Sequence, residues 1–157
     1  MTKPIEHFQH RAEQSPNAIA VAGPGEPFTY RRLLANVHAL AAALQSLDPE
    51  PGSRVGICAR NTVEHLIALL ATYSAGKVWV PLAPNNSRTD LDRMIGATRP
   101  TLFVADESCL YRFTPTGAPL VLGKTTIPPG EMPSVRTLIG EWNGRHPTVI
   151  ARDERDA

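Results

Sequence analysis

The sequence is short of the residues and patterns that announce chemistry. It has only two cysteines, Cys58 and Cys109, with no CxxC spacing and no histidine at a metal-site interval. No apolar run approaches the roughly 18 to 20 residues of a membrane span. The N-terminus, Met1-Thr2-Lys3-Pro4-Ile5-Glu6-His7, lacks the apolar core of a secretion signal. A reduced, cytoplasmic protein is the expectation. Net charge is also missing: 16 basic and 15 acidic residues are well mixed and leave +1. That provides no electrostatic footprint for nucleic acid or an anionic membrane, and Arg31-Arg32 reads as solvated helix surface.

Catalytic motifs are equally scarce. There is no GxxxxGK[ST] loop and no GxSxG elbow. Gly23-Pro24-Gly25 sits where a dinucleotide fingerprint would lie, between a strand and a helix, but Phe28 holds the place of the third glycine. Pro24 and Pro27 lack the amide donors of a phosphate cradle, so the segment reads as a turn. The histidines are His7, His10, His38, His65 and His146. His7 and His10 are spaced to share a metal on a helix, yet no third ligand accompanies them. Asp90 and Asp92 are two apart on a helix, so they diverge and make a poor acid–base pair. Trp79 reads as packing, and Cys58 as a small core residue. No catalytic, cofactor-binding or metal-binding residue is assigned.

What is present is a regular α/β pattern. The 157 residues are 42% hydrophobic and 20% charged, one domain's worth, with about two-thirds of the unfolded surface available for burial. A short helix is predicted over 4–14 and a strand over 18–22. Thr29 is placed to cap a long helix whose Leu33, Val37, Leu40, Ala41, Leu44 and Leu47 form one apolar stripe. A strand follows from Arg54 to Ala59. Asn61 or Thr62 caps a second long, deeply buried helix running to Ser74, and Gly76 closes it in the left-handed conformation. Val78-Trp79-Val80 is the next strand. A helix carrying Leu91, Met94 and Ile95 ends at Pro100, before a strand at 101–105. Beyond that, 113–133 reads as mostly irregular, with Leu120-Val121-Leu122 a candidate strand and Val135–Trp142 a short helix. Apolar strands alternating with helices argue for a largely parallel sheet covered by helices on both faces. One domain over 1–150 and a frayed tail over 151–157 are expected.

Three stretches resemble a known family in order and spacing. Pro16-Asn17-Ala18-Ile19-Ala20-Val21 with Phe28-Thr29-Tyr30-Arg31-Arg32-Leu33 resembles the opening strand and LTYxEL motif of adenylate-forming (AMP-binding) enzymes. These include the acyl-CoA synthetases and the adenylation domains of peptide synthetases. Here Arg32 replaces the usual glutamate, which removes the return half of a capping box. Pro51-Gly52-Ser53-Arg54-Val55 resembles the PGDRV strand entry, and Ala75-Gly76-Lys77-Val78-Trp79-Val80-Pro81-Leu82 the KAGxAYVPL motif. The resemblance covers about residues 5–106 and extends to the lead-in at Val149–Ala157, just short of the family's phosphate loop.

That resemblance implies an N-terminal subdomain of an ATP-dependent carboxylic acid:CoA ligase-like enzyme, inactive alone. ATP, magnesium and CoA are implied for a full-length relative, none of them bound by this chain itself. The absence of a tyrosine-proline-x-x-arginine pattern after Pro84 tilts the reading toward the acyl-CoA or aryl-acid branch. Partners implied are the remainder of the ligase, or a second copy through exposed apolar surface. Two other readings stay open: a non-catalytic interaction module on the same scaffold, and an unrelated α/β domain binding a nucleotide at its strand ends.

Overall fold

The computed structural model describes residues 3–128 and 130–151. It opens with helix α1 (Pro4–Gln14) and a small antiparallel hairpin, β1 (Ile19–Val21) with β2 (Phe28–Thr29). Helix α2 (Tyr30–Leu47) follows, then β3 (Arg54–Cys58), α3 (Val63–Ser74) and β4 (Val78–Pro81). Helix α4 (Arg88–Thr98), β5 (Leu102–Asp106), α5 (Glu107–Leu110), β6 (Ala118–Leu122) and α6 (Val135–Glu141) complete it. Strands β3 to β6 form one parallel sheet in the order β4-β3-β5-β6. Residues 152–157, where fraying is expected, lie outside the described residues.

Helix starts follow from hydroxyl caps. Thr29 Oγ1 accepts from the Arg32 amide at 3.3 Å, and Thr62 Oγ1, rather than Asn61, accepts from the His65 amide at 3.2 Å. Ser87 Oγ accepts from the Asp90 amide at 3.1 Å and donates to its carboxylate at 2.7 Å. Arg32, which cannot complete a capping box, turns outward instead. Its guanidinium pairs with Glu26 at 2.9 Å and lies 4.1 Å over the Phe28 ring. The arginine thus ties the hairpin to the start of α2 by a different route from the glutamate it replaces.

The sheet separates two cores. Val55, Ile57, Leu102, Val104, Leu120 and Leu122 point to one face, against α2, α3 and α6. Cys58, Val80, Phe103 and Ala105 point to the other, against Leu91 and Ile95 of α4 and Cys109 of α5. This alternation is the period-2 signature of strands buried on both sides. The α2 stripe is buried from Leu33 to Leu44, but Leu47 is 46% exposed where the helix runs past the sheet. Helix α3 buries one side (Ile67, Ala68, Ala71), whereas Leu66, Leu69 and Leu70 are only half-covered. It is therefore less enclosed than its composition suggests.

Two expectations from the sequence change. The segment at 18–22 does not join the parallel sheet; it pairs with Phe28-Thr29 because only a short turn separates them. Residues 118–122, inside the glycine- and proline-rich stretch, form a full edge strand paired to β5. The outer edge of β6 is in turn covered by a bridge from Val121 to Ser134.

Gly117 allows that last pairing. A Cβ there would lie 2.1 Å from the Thr101 carbonyl oxygen, and the following amide, Ala118 N, donates to that same oxygen at 3.1 Å. Backbone cannot yield as a side chain can. Gly117→Ala is expected to cost about 3 kcal/mol, the upper end of ordinary overpacking. The loss would be read as a lower urea midpoint with unchanged slope.

Candidate functional site

Parallel strands open a crevice wherever neighbouring connections leave for opposite faces. Here β3 leads into α3 on one face, while β5 leads into α5 on the other. Beyond their carboxyl ends lies an open cavity of about 590 Å³ lined by Arg60, Thr62, Asp106, Glu107, Tyr111 and Lys124, among others. Its carboxylates are already engaged. Asp106 Oδ2 accepts from the Arg60 amide at 2.8 Å, which closes β3 onto β5. Glu107 accepts from the Thr126 hydroxyl, from the Thr126 amide at 2.6 Å and from Thr125 Oγ1 at 2.8 Å. The Thr126 hydroxyl and amide, then Thr125, hold the Glu107 carboxyl below its usual range against a small effect of burial. These groups fix the loop after β6. They do not form a nucleophile–base pair.

At the opposite end of the sheet sits a buried cation. Lys77, 3% exposed, donates from Nζ to the Asp48 carbonyl at 2.6 Å, Ser53 Oγ at 2.7 Å and the Glu50 carbonyl at 3.3 Å. Asp48 Oδ2 lies 3.6 Å away and also accepts from the Thr101 hydroxyl. Burial pushes the Lys77 pKa down, partly offset by the Asp48 carboxylate. Burial pushes Asp48 up, but hydrogen bonds from Thr101, Ser53 and the Glu50 amide, with the Lys77 charge, hold it below its usual range. Neither residue is singled out by sequence pattern. The available signal is a lysine at the mouth of an apolar strand, where a solvated charge would be out of place.

The residues weighed from the sequence are dispersed. His7 and His10 are both exposed on α1, and among the described residues no three His, Cys, Asp or Glu side chains gather as a metal cluster. His65 Nδ1 sits 3.1 Å from the Arg60 carbonyl. Asp90 accepts from the hydroxyl of Ser87, the cap of α4, and pairs with Arg93 at 2.6 Å, while Asp92 accepts from the Thr114 amide at 2.8 Å; the two diverge as their spacing requires. Gly23 and Gly25 border open space in an exposed turn. Cys58 is fully buried, its thiol pKa pushed up to about 12 by burial and by neighbouring Cys109. Trp79 packs on the α2–α3 side of the sheet, with its indole N–H buried and lacking an acceptor among the described residues. One contact escapes sequence reading altogether: His38 of α2 meets His146, Nδ1 to Nδ1, at 3.0 Å.

The family model for AMP-binding enzymes matches residues 8–141, which spans the sheet, both cores and all three motifs. The chain belongs to the AMP-binding enzyme family. Its curated relatives include chondramide synthase of Chondromyces crocatus, 34% identical over 66% of this chain and 3% of the relative. Malpinin synthetase of Mortierella alpina is 33% identical over 78% of this chain and 2% of the relative. The chain therefore spans only a few per cent of the length of these relatives. Among solved structures, an artificially fused adenylation–carrier di-domain of a Klebsiella oxytoca peptide synthetase superposes with a TM-score of 0.78 at 22% identity. That match covers 97% of this chain and 26% of the other. The N-terminal subdomain of the same Klebsiella oxytoca protein, bound to anthranilyl-AMSN, matches with a TM-score of 0.72 over 93% of this chain and 34% of that one. The fold is that of an adenylation N-terminal subdomain, and the chain lies closer to peptide-synthetase adenylation domains than to acyl-CoA synthetases. The tilt toward the acyl-CoA branch rested on the missing tyrosine-proline-x-x-arginine pattern, a few turn residues outweighed by similarity spread over more than a hundred positions.

Two outcomes follow from these geometries. Lys77→Ala leaves a carboxylate and two carbonyls without their cation and is expected to cost about 3–5 kcal/mol in urea unfolding. Lys77→Met combined with Asp48→Asn should recover part of that loss, because no buried charge then remains. The support Glu107 gives its loop should be complete above the ordinary glutamate range, near ~4.3, and lost as pH falls through its lower folded value. The Thr126 amide resonance should move with a midpoint below that of a free glutamate; a midpoint at the ordinary value would refute the bonding described.

Proposed function

We propose that this chain serves as the N-terminal scaffold subdomain of a peptide-synthetase-type adenylation enzyme. The complete enzyme would join a carboxylic acid, an amino or aryl acid, to the α-phosphate of ATP with release of pyrophosphate. It would then pass the acyl group to a carrier-protein thiol rather than to CoA. The observation that carries this reading is the 33% identity to malpinin synthetase over 122 residues, on a fold shared with an adenylation–carrier di-domain.

Acyl adenylate formation develops negative charge on phosphate oxygens and requires preorganised donors and a metal aimed at them. The described part of this chain contributes sheet, caps and two cores, and its polar crevice is tied up in bonds that hold loops. ATP and magnesium are therefore assigned to the complete enzyme, and this polypeptide by itself is inactive. Its partner is the remainder of the adenylation domain, and Tyr111 and Val149 are the most exposed of the large apolar side chains, among the described residues, that it could cover.

Calorimetric titration of the folded 157-residue chain with ATP and magnesium tests this directly. No saturable heat at two temperatures is expected, together with acid-dependent ATP–pyrophosphate exchange once the remaining adenylation segments of a relative are supplied. Micromolar ATP binding by the chain alone would overturn the scaffold reading.

A further inference from the structure

After α6 and a turn ending at Gly144, the chain runs as a strap, residues 145–151, back across α2. Three contacts seat it. Gln45 on α2 reads one backbone unit in both directions: its Nε2 donates to the Thr148 carbonyl at 2.8 Å, and its Oε1 accepts from the Thr148 amide at 2.8 Å. The same Nε2 also reaches the Ala75 carbonyl at 3.3 Å, so Gln45 links strap, α2 and the end of α3. Ile150 lies over Gly76, whose φ of +70° and lack of a side chain make room; a Cβ there would come within 2.9 Å of the isoleucine Cβ. The third contact is His146 on His38, with ring centroids 4.9 Å apart and tilted 62°.

We infer that the strap is a pH-sensitive latch, held closed by the His38–His146 contact at neutral pH and released in mild acid. The reason is donor arithmetic. Two facing Nδ1 atoms can share one hydrogen bond when one ring carries the proton there and the other offers its lone pair. Once both rings are charged, both Nδ1 atoms are donors, the bond is lost, and two cations face each other. Gln45 does not titrate, so the histidine contact alone gives the seat its pH dependence.

Among the described residues, the surroundings leave His146 as the charge that acts on His38. On α2, Arg31 is bonded to Asn17 and Arg32 to Glu26. On α1, Arg11 lies over Tyr30, and His7, His10, Glu6 and Glu13 are exposed. On α3, Glu64 is paired with Arg136 of α6, and His65 with the Arg60 carbonyl. Glu141 at the end of α6 is exposed, and Arg145 of the strap lies 5.2 Å over the Trp142 ring. Burial first, then the His146 charge, lowers the His38 pKa. One charged ring can still donate to a neutral one, so it is the second proton that the closed latch binds less readily than the open one, and opening gains as pH falls through the ordinary histidine range near ~6.5.

Amide hydrogen exchange on the whole chain from pH 7.5 to 5, corrected for intrinsic rates, tests the latch at the Thr148 amide. Expected is protection at pH 7.5 and an opening constant that rises on acidification by up to about tenfold per pH unit, the limit for one proton. The Val104 amide in the central strand should stay unchanged. His146→Asn, and independently His38→Asn, should abolish the pH dependence of Thr148 while leaving Val104 protected. An unprotected Thr148 at pH 7.5, a pH-independent opening constant in the unaltered chain, or the same rise in both variants would overturn the inference.

Discussion

The Lys77 ammonium fixes where the sheet begins. Its acceptors, the Asp48 and Glu50 carbonyls and Ser53 Oγ, all lie in the connection between α2 and β3, and Lys77 itself precedes β4 by one residue. One buried charge thus sets both ends of the Arg54–Val78 register. Thr101 extends the constraint: it donates to Asp48 and to the Arg54 carbonyl just before β5 starts. In a sheet covered on both faces, a slip of one residue would exchange the two cores. A buried ion pair adds little net stability over an apolar substitute. Its use here is to make one alignment of three strands better than its neighbours.

The two ends of the sheet are consequently unlike. The amino ends are closed by a saturated polar cluster. The carboxyl ends open into a crevice whose acidic groups hold β3, β5 and the loop after β6 together. A rigid base beneath an open rim is what a scaffold subdomain needs if reacting groups are to be positioned from elsewhere, since catalysis tolerates little misplacement.

Much of this architecture is legible in the sequence, because its signals are local. Thr29, Thr62 and Ser87 precede amphipathic runs, Gly76 ends one, and apolar strands alternate with helices. The parallel sheet with helices on both faces follows from these. The hairpin at 19–29 is missed because a three-residue apolar strand does not reveal its partner. Strand β6 is underestimated because glycine and proline around it signal a loop, whereas pairing to β5 overrides that preference. Lys77 with Asp48, and His38 with His146, are illegible for one reason. Each joins residues far apart in the chain, 29 apart in the first pair and 108 in the second, and neither carries a periodic signature.

The strap has a consequence for the order in which the molecule assembles. Pairing of β3 with β4 and β5 needs only residues up to 106, so most of the sheet can form while later residues are still being synthesised. Gln45 must wait for Thr148, well beyond the end of β5 at Asp106, and at about 5–20 residues per second that gap lasts roughly 2–8 seconds. During it, α2 is already packed on the sheet, α1 and α3, while its flank carrying His38 and Gln45 still lacks the strap. The nascent chain thus passes through a stage with a folded core and an uncovered helix flank, the surface a chaperone or a neighbouring segment would meet first.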